Sequence, residues 1–177
     1  VAVSDPLGQT TSFSYDALDR RVSVTDALGQ VTRYTYDALG SLTSVEDSLH
    51  NLTSYDYDAL SRLVLEENAL GATRRFGYDA VGNVVSRVDR LGRTIGFTYD
   101  DLDRPIQEQW LDAGGNPVRT IDRAYDVASQ LVEIADIDSR YLFTYDATGR
   151  TTSVDNAGTP DAPHVLFTYG YDTAGSL

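Results

Sequence analysis

The sequence predicts an all-β repeat fold: an antiparallel β-meander with about two strands per 21-residue unit, coiling into a shell or a solenoid-like spiral. The first observation behind this is a ruler of Tyr-Asp pairs. Tyr15-Asp16, Tyr36-Asp37, Tyr57-Asp58, Tyr78-Asp79 and Tyr99-Asp100 stand 21 residues apart, and Tyr125-Asp126, Tyr145-Asp146 and Tyr171-Asp172 follow at spacings of 26, 20 and 26. A fixed period of this size marks a repeat architecture, in which each unit buries its surface against its neighbours. The second observation is that each period holds two runs rich in Thr, Val, Tyr and Ser, which favour strands. The third is that two turn signals separate those runs, so the chain reverses twice per unit.

Residues 30–51, QVTRYTYDALGSLTSVEDSLHN, serve as the type unit. Residues 31–36 and 41–46 read as its strands, each alternating on a period of two. The first turn is Asp37-Ala38-Leu39-Gly40 and the second Asp47-Ser48-Leu49-His50. The second recurs as Asp5-Pro6-Leu7-Gly8, Asp26-Ala27-Leu28-Gly29, Asn68-Ala69-Leu70-Gly71, Asp89-Arg90-Leu91-Gly92 and Asp155-Asn156-Ala157-Gly158. Asp or Asn at the first position accepts a hydrogen bond from backbone two residues on, and Gly at the fourth tolerates positive φ. That is the layout of a hairpin loop with a type I turn followed by a left-handed residue. In the first turn Gly40, Gly82, Gly149 and Gly175 hold the fourth place, and Asp19, Ser61, Asp103 and Ser129 substitute for Gly elsewhere.

Two residues before each repeat Tyr stands a second aromatic: Phe13, Tyr34, Tyr55, Phe76, Phe97, Phe143 and Tyr169, with Arg123 as the exception. These share a face with the repeat Tyr and are expected to form ladders across the sheet, each cross-strand contact worth about 0.2–1 kcal/mol. Leu42, Leu63, Val84 and Leu131 occupy one position of the return strand. The other face carries Thr, Ser, Arg and Glu, as in a sheet packed on one side only. Sixteen strands would extend about 75 Å, and open sheets rarely pass about 10 strands without curling. Two insertions, at residues 111–117 and 156–164, are expected to lengthen the connections between units.

Composition narrows the function. A net charge of −13 is the wrong sign for nucleic acid or an anionic membrane. The acidity is mostly Asp, 22 of 27 acidic residues, and all 14 basic residues are Arg. With no Cys, neither a disulfide framework nor a thiolate metal site is available. No apolar run reaches the length of a spanning helix. Both ends fall inside a unit, so residues 1–177 are expected to form one segment of about eight repeats within a larger protein.

Candidate chemistry is sparse. His50 and His164 both lie in inter-unit loops without a second ligand at metal spacing. There is no nucleophile elbow and no phosphate-binding glycine loop. Asp100, Asp101 and Asp103 crowd one turn, and Asp136 and Asp138 alternate in another segment, but neither follows an EF-hand spacing. The repeated Asp residues are expected to initiate turns. Neither catalysis, a cofactor nor a metal is expected.

With these residues laid out, the chain resembles the Rhs/YD-repeat family, whose unit G-x-x-x-x-[FY]-x-Y-D-x-x-G-R-[LV] matches residues 71–84, GATRRFGYDAVGNV, and again Tyr145-Asp146-Ala147-Thr148-Gly149-Arg150. The resemblance covers essentially the whole chain. It implies a β-sheet that spirals into a hollow shell, which in bacterial members, such as polymorphic Rhs toxins and the C components of insecticidal toxin complexes, encloses a C-terminal toxin. It also implies a secreted or cell-surface location. The partners implied are the remaining repeats, neighbouring copies and a toxin cargo. Teneurins carry a similar barrel in adhesion, so an adhesive or fibre-forming surface protein stays open, as does a carbohydrate-binding module. Complete toxin members end their shell in a core segment with an Asp-Pro-x-Gly motif linked to self-cleavage. Asp5-Pro6-Leu7-Gly8 has those letters but occupies an ordinary inter-unit turn, without the core segment.

Overall fold

The computed structural model describes residues 1–172 and 174–176. The strands, in chain order, are β1 (Ala2–Ser4), β2 (Thr10–Tyr15), β3 (Arg21–Thr25), β4 (Val31–Tyr36), β5 (Leu42–Glu46), β6 (Leu52–Tyr57), β7 (Leu63–Glu67) and β8 (Thr73–Tyr78), followed by β9 (Val84–Val88), β10 (Thr94–Tyr99), β11 (Pro105–Leu111), β12 (Pro117–Tyr125), β13 (Leu131–Ala135), β14 (Arg140–Tyr145), β15 (Thr151–Asp155) and β16 (Leu166–Thr168). Hydrogen-bonded neighbours are sequence neighbours from β1 to β16, and the pairs are antiparallel. The fold is the expected all-β meander, two strands to a repeat. Two compact units divide it: Val1–Gly77 with Arg87–Gly92, and Tyr78–Ser86 with Arg93–Leu177.

The turns follow the sequence closely. All eight repeat Asp residues place Oδ1 where it accepts the backbone N–H two and four residues on, as Asp58 does from Leu60 at 2.9 Å and Arg62 at 3.0 Å. A short polar side chain thereby replaces the missing turn partners of the backbone. The fourth residue is left-handed whether it is Gly or not: φ is 59° at Ser61 and 93° at Gly40. Asp5 builds the same turn, accepting from Leu7 and Gln9 at 2.9 Å each, so Asp5-Pro6-Leu7-Gly8 is an inter-unit reversal.

The return strands depart from simple alternation. Each hairpin after a repeat Tyr contains a register shift: Thr35 pairs with Ser44, but Tyr36 pairs with Leu42. One extra residue, Thr43, is thus fitted as a β-bulge. The bulge lets Leu42 and Val45, three residues apart, face the same side as Tyr36 and Tyr34. Thr43 and Ser44 then both reach Thr35 Oγ1 on the polar side, at 3.0 and 2.6 Å. The same triad recurs at Thr144, Thr152 and Ser153.

The expected straight aromatic ladders do not form. Phe13 pairs with Val24 and Val24 with Thr32, two residues short of Tyr34. Tyr34 leads likewise through Val45 to Thr53, and Phe143 through Val154 to Phe167. These repeats therefore stagger their register by two residues, and their aromatics run diagonally. The aromatic face is half-buried along both units, and among the described hydrophobic residues Ile95, at 1% exposure, is the fully buried one. Lateral contact between neighbouring strands supplies the packing within each unit.

The insertions resolve differently from expectation. Residues 112–116 form an ordinary five-residue turn, with the Asp112 N–H bonded to the Asn116 carbonyl at 2.9 Å and φ of 82° at Gly115. The added residues extend β11 and β12 to 7 and 9 residues instead of enlarging the loop. Residues 156–164 do form a longer loop, pinned where Asn156 Oδ1 accepts from the Val165 N–H at 2.6 Å and Asn156 Nδ2 donates to the Pro163 carbonyl at 2.9 Å. Its turn starts at Asn156, one residue later than the sequence suggests, and Gly158 holds the positive φ at the third position, as in a type II turn.

Candidate functional site

The repeated Tyr-Asp pair is the strongest candidate site, and its geometry is that of a lock between units. Tyr36 Oη donates to the Arg21 carbonyl at 2.9 Å, and Arg21 is the residue that pairs with Tyr15 one repeat earlier. Tyr57 reaches Leu42, Tyr99 reaches Val84, Tyr125 reaches Pro105, Tyr145 reaches Leu131 and Tyr171 reaches Thr151, all between 2.7 and 3.0 Å. Each ring thus crosses back to the preceding repeat. Burial pushes the phenols of Tyr57 and Tyr99 above their ordinary value, which favours the neutral donor. Tyr15, with no earlier repeat Tyr in the chain, is 46% exposed.

Asp does its work forward along the chain. Where the residue four positions on is Arg, the carboxylate also binds it: Arg20 Nε lies 2.7 Å from Asp16 Oδ2, Arg62 Nε 2.7 Å from Asp58, Arg104 Nε 2.8 Å from Asp100 and Arg150 Nε 2.7 Å from Asp146. The guanidinium then lies over the next repeat Tyr, 4.9 Å from Tyr36 for Arg20, 4.8 Å from Tyr125 for Arg104 and 4.4 Å from Tyr171 for Arg150, a cation–π arrangement. Arg20 Nη1 also donates to the Asp37 carbonyl at 2.9 Å, and Arg104 Nη1 to Asp126 at 3.2 Å. One Arg therefore joins the turn of its own unit to the Tyr and the turn of the next.

These bonds hold the carboxylates in their charged form. The Arg20 backbone N–H, ahead of its side chain, lowers Asp16, and the Arg62 backbone N–H does the same for Asp58. The Arg104 side chain is the main cause at Asp100. The hydroxyl of Thr148 leads at Asp146. A general acid or base needs a carboxyl near the working pH; these are moved the other way.

The sequence brought forward the Tyr and Asp positions but not the Arg or the hydroxyl bond. A signal for the latter was present. The repeat position is Tyr in all eight copies, whereas the place two residues earlier is Phe in four, Tyr in three and Arg in one. Only a used hydroxyl makes that distinction.

The irregular unit explains Arg123. Arg123 Nη2 bonds Glu108 Oε2 at 3.0 Å, both side chains being largely buried. Glu108 Oε1 accepts from Trp110 Nε1 at 2.8 Å, and Arg93 lies 5.6 Å from the Trp110 ring. An ion pair braced by Trp110 thus occupies the diagonal place that an aromatic and an aliphatic side chain, such as Tyr34 and Val24, fill in a regular unit.

The remaining candidates have local partners. Asp136, whose side chain is 2% exposed, bonds Arg119, which is the main cause of a carboxyl lowered to about 2. Asp103 accepts from Asn83 Nδ2 at 2.8 Å. His50 Nδ1 lies 2.5 Å from Glu46, and His164 Nε2 lies 2.7 Å from Asp155. Asp101 and Asp138 lie in exposed turns beside these. Among the described residues no group of three His, Asp or Glu side chains is placed to hold a metal ion, and no helix is long and apolar enough to cross a membrane.

Known proteins of similar fold share this architecture. The crystal structure of TcdB2-TccC3-Cdc42 superposes with a TM-score of 0.78 over 93% of this chain at 16% identity. The Photorhabdus luminescens Tc holotoxin pore does so at 0.75 over 90%, and TcdB2-TccC3 without its hypervariable C-terminal region at 0.76 over 95%, both at 16% identity. At this identity the likeness is one of fold. The chain spans about a tenth of each of those chains, 10%, 9% and 10%. No curated protein matches it. A model of the RHS repeat matches five overlapping stretches, residues 1–29, 20–48, 36–73, 57–93 and 78–109. These cover well over half of the 177 residues, and the chain belongs to the RHS repeat family.

Proposed function

We propose that this segment is part of the wall of a β-sheet shell enclosing a C-terminal toxin, in a secreted or surface protein of a bacterium, and that its role is mechanical rather than catalytic. The observation that carries this reading is the two-residue stagger that recurs from repeat to repeat wherever the register is described. A sheet that closes or coils needs a fixed shear between successive strands, and here the shear is built into the unit by the bulge and the turns. The Tyr hydroxyl and the Arg bridge tie each unit to the next, which suits a wall that isolates a volume. The fold likeness to structures containing TccC3, one of them described as lacking a hypervariable C-terminal region, supports a conserved wall with a variable end.

Electron microscopy of the intact protein tests the proposal. A closed hollow particle whose C-terminal region resists added protease until the wall is unfolded is the expected result. An extended filament, or a C-terminal region cleaved at once in the native particle, would overturn it in favour of an adhesive or fibre-forming role.

A further inference from the structure

One charge in the first compact unit has no opposite charge set against it. The place nine residues after each repeat Tyr faces the aromatic side in the regular units, as Val24 and Val45 show. It is aliphatic again at Ile134 and Val154, but charged at Glu66, Arg87 and Glu108. Glu108 is matched by Arg123, and Glu66 by two arginines, Arg74 and Arg90. Arg87 is exposed and has no hydrogen-bond, ion-pair or ring partner among the described residues. It lines a hollow of 360 Å³ whose other walls are Arg74, Phe76 and Asp89. Small-molecule sites span about 300–1,000 Å³, so the hollow suits a small ligand.

The local charge runs against that of the chain. Arg74, Arg87 and Arg90 stand here against Glu66 and Asp89, whereas the whole chain carries −13. Glu66 is shared between two guanidinium groups: Arg90 bonds one oxygen, and Arg74 Nη1 stays 3.4 Å from the other, its side chain 46% exposed. Arg74 and Arg87 thus keep N–H groups for an anion, and a guanidinium fork matches a carboxylate with two parallel bonds. Phe76 alternates with Arg74 along β8 and supplies an apolar wall. Asp89 repels a second negative charge.

We infer that this hollow binds a small aromatic monocarboxylate. Its carboxylate pairs with Arg87 and Arg74, and its ring lies against Phe76 in an offset or edge-on contact. None of these residues belongs to the Tyr, Asp and Arg lock, so the site adds a ligand to the segment without drawing on its joints.

NMR titration of the 177-residue chain with benzoate tests the inference. Benzoate should shift the Arg74 and Arg87 Nε–Hε signals and the Phe76 ring signals saturably at millimolar concentration, and less strongly in high salt. Acetate and inorganic phosphate lack the ring, and benzyl alcohol lacks the charge; each should bind at least about tenfold more weakly. Arg87→Val restores the residue of the regular units, so it should keep the fold and lose about tenfold or more in benzoate affinity, the worth of a hydrogen bond to a charged group. Arg75→Gln, on the opposite face of β8, should bind like the parent. No saturable shift with benzoate overturns the inference, as does unchanged affinity in Arg87→Val. So does equal binding of acetate, phosphate or benzyl alcohol, a comparison made on the parent chain and independent of how the variant folds.

Discussion

Removing the tyrosine hydroxyls tests the lock most directly. In Tyr57→Phe, Tyr99→Phe and Tyr145→Phe the ring and its packing remain, and the bonds to the carbonyls of Leu42, Val84 and Leu131, at 2.9, 2.9 and 2.7 Å, are lost. A hydrogen bond of this kind contributes about 0.5–1.5 kcal/mol net, and a part-buried acceptor left without its partner pushes the cost to the upper end. The three bonds lie in separate repeats and share no partner, so their effects add, to about 4 kcal/mol for the triple variant. The control is Tyr34→Phe with Tyr55→Phe, whose hydroxyls have no hydrogen-bond partner among the described residues and whose place holds Phe13, Phe76, Phe97 and Phe143 in other units. Those changes should stay within about 0.5 kcal/mol each.

Urea denaturation followed by tryptophan fluorescence and circular dichroism provides the assay. The bonds cross between repeats, so their loss weakens the nearest-neighbour coupling that makes a repeat array unfold as one. The triple variant should therefore show a lower midpoint and a broader transition, with the two probes no longer coincident. If the triple variant unfolds like the control, the hydroxyl is not part of the lock and the distinction between Tyr and Phe positions has some other cause.

Four further outcomes follow from the same geometry. Arg104→Lys should lower the melting temperature by nearly as much as Arg104→Ala, because Lys lacks the planar donors that serve Asp100, the Asp126 carbonyl and the Tyr125 ring together. Ser61→Gly should stabilise by roughly 0.5 kcal/mol, the relief of a left-handed non-glycine exceeding the added chain entropy, whereas Ser129→Gly should gain less because it removes the Oγ that accepts from Arg104 Nη1 at 3.1 Å. Arg123→Phe and Glu108→Val should each destabilise, while the double variant, matching the diagonal Tyr34 and Val24 arrangement, recovers most of the loss. Acidification should destabilise: carboxyls such as Asp16, Asp58 and Asp100 are lowered from 3.8 in the folded chain, so their contribution is complete above pH 4 and lost as pH falls through the folded values, down to about 2 for Asp136. Urea midpoints at pH 7, 4 and 2.5 check this, and a rise on acidification would mean that discharging the net −13 outweighs the turn carboxylates.

Strand number, turn positions and left-handed residues were legible in the sequence because each depends on local chemistry. Asp at the head of a turn and Gly four residues on act within five residues, so Ser61 and Asp103 could be placed by analogy with Gly40. What depends on neighbouring strands was not legible. The bulge at Thr43 breaks a period of two that a five-residue strand is too short to disprove, although Leu42 and Val45, three apart and both apolar, carried the hint. The diagonal path of the aromatics follows from that bulge. Residues 111–117 read as a longer loop because Gly114 and Gly115 are conspicuous, yet the polar and β-branched residues on either side could pair, and did. The roles of Arg20, Arg104 and Arg150 are not legible because the Tyr that each covers lies in the next unit.

The irregular repeat shows what the regular ones are for. At Arg123 the ruler keeps its Tyr-Asp pair but replaces the aromatic beside it with a charge. A residue needed for its ring chemistry, such as stacking on a sugar, could not be exchanged in this way. A residue needed for lateral contact could be, provided that the neighbouring strand changes with it, and Glu108 and Trp110 are that change. Tyr125 still donates to the Pro105 carbonyl at 3.0 Å, across a hairpin whose strands have lengthened. The bond between repeats is retained where the face between them is rewritten. That order of priorities is the one expected of the proposed wall, whose repeats must stay joined even where the face between them changes.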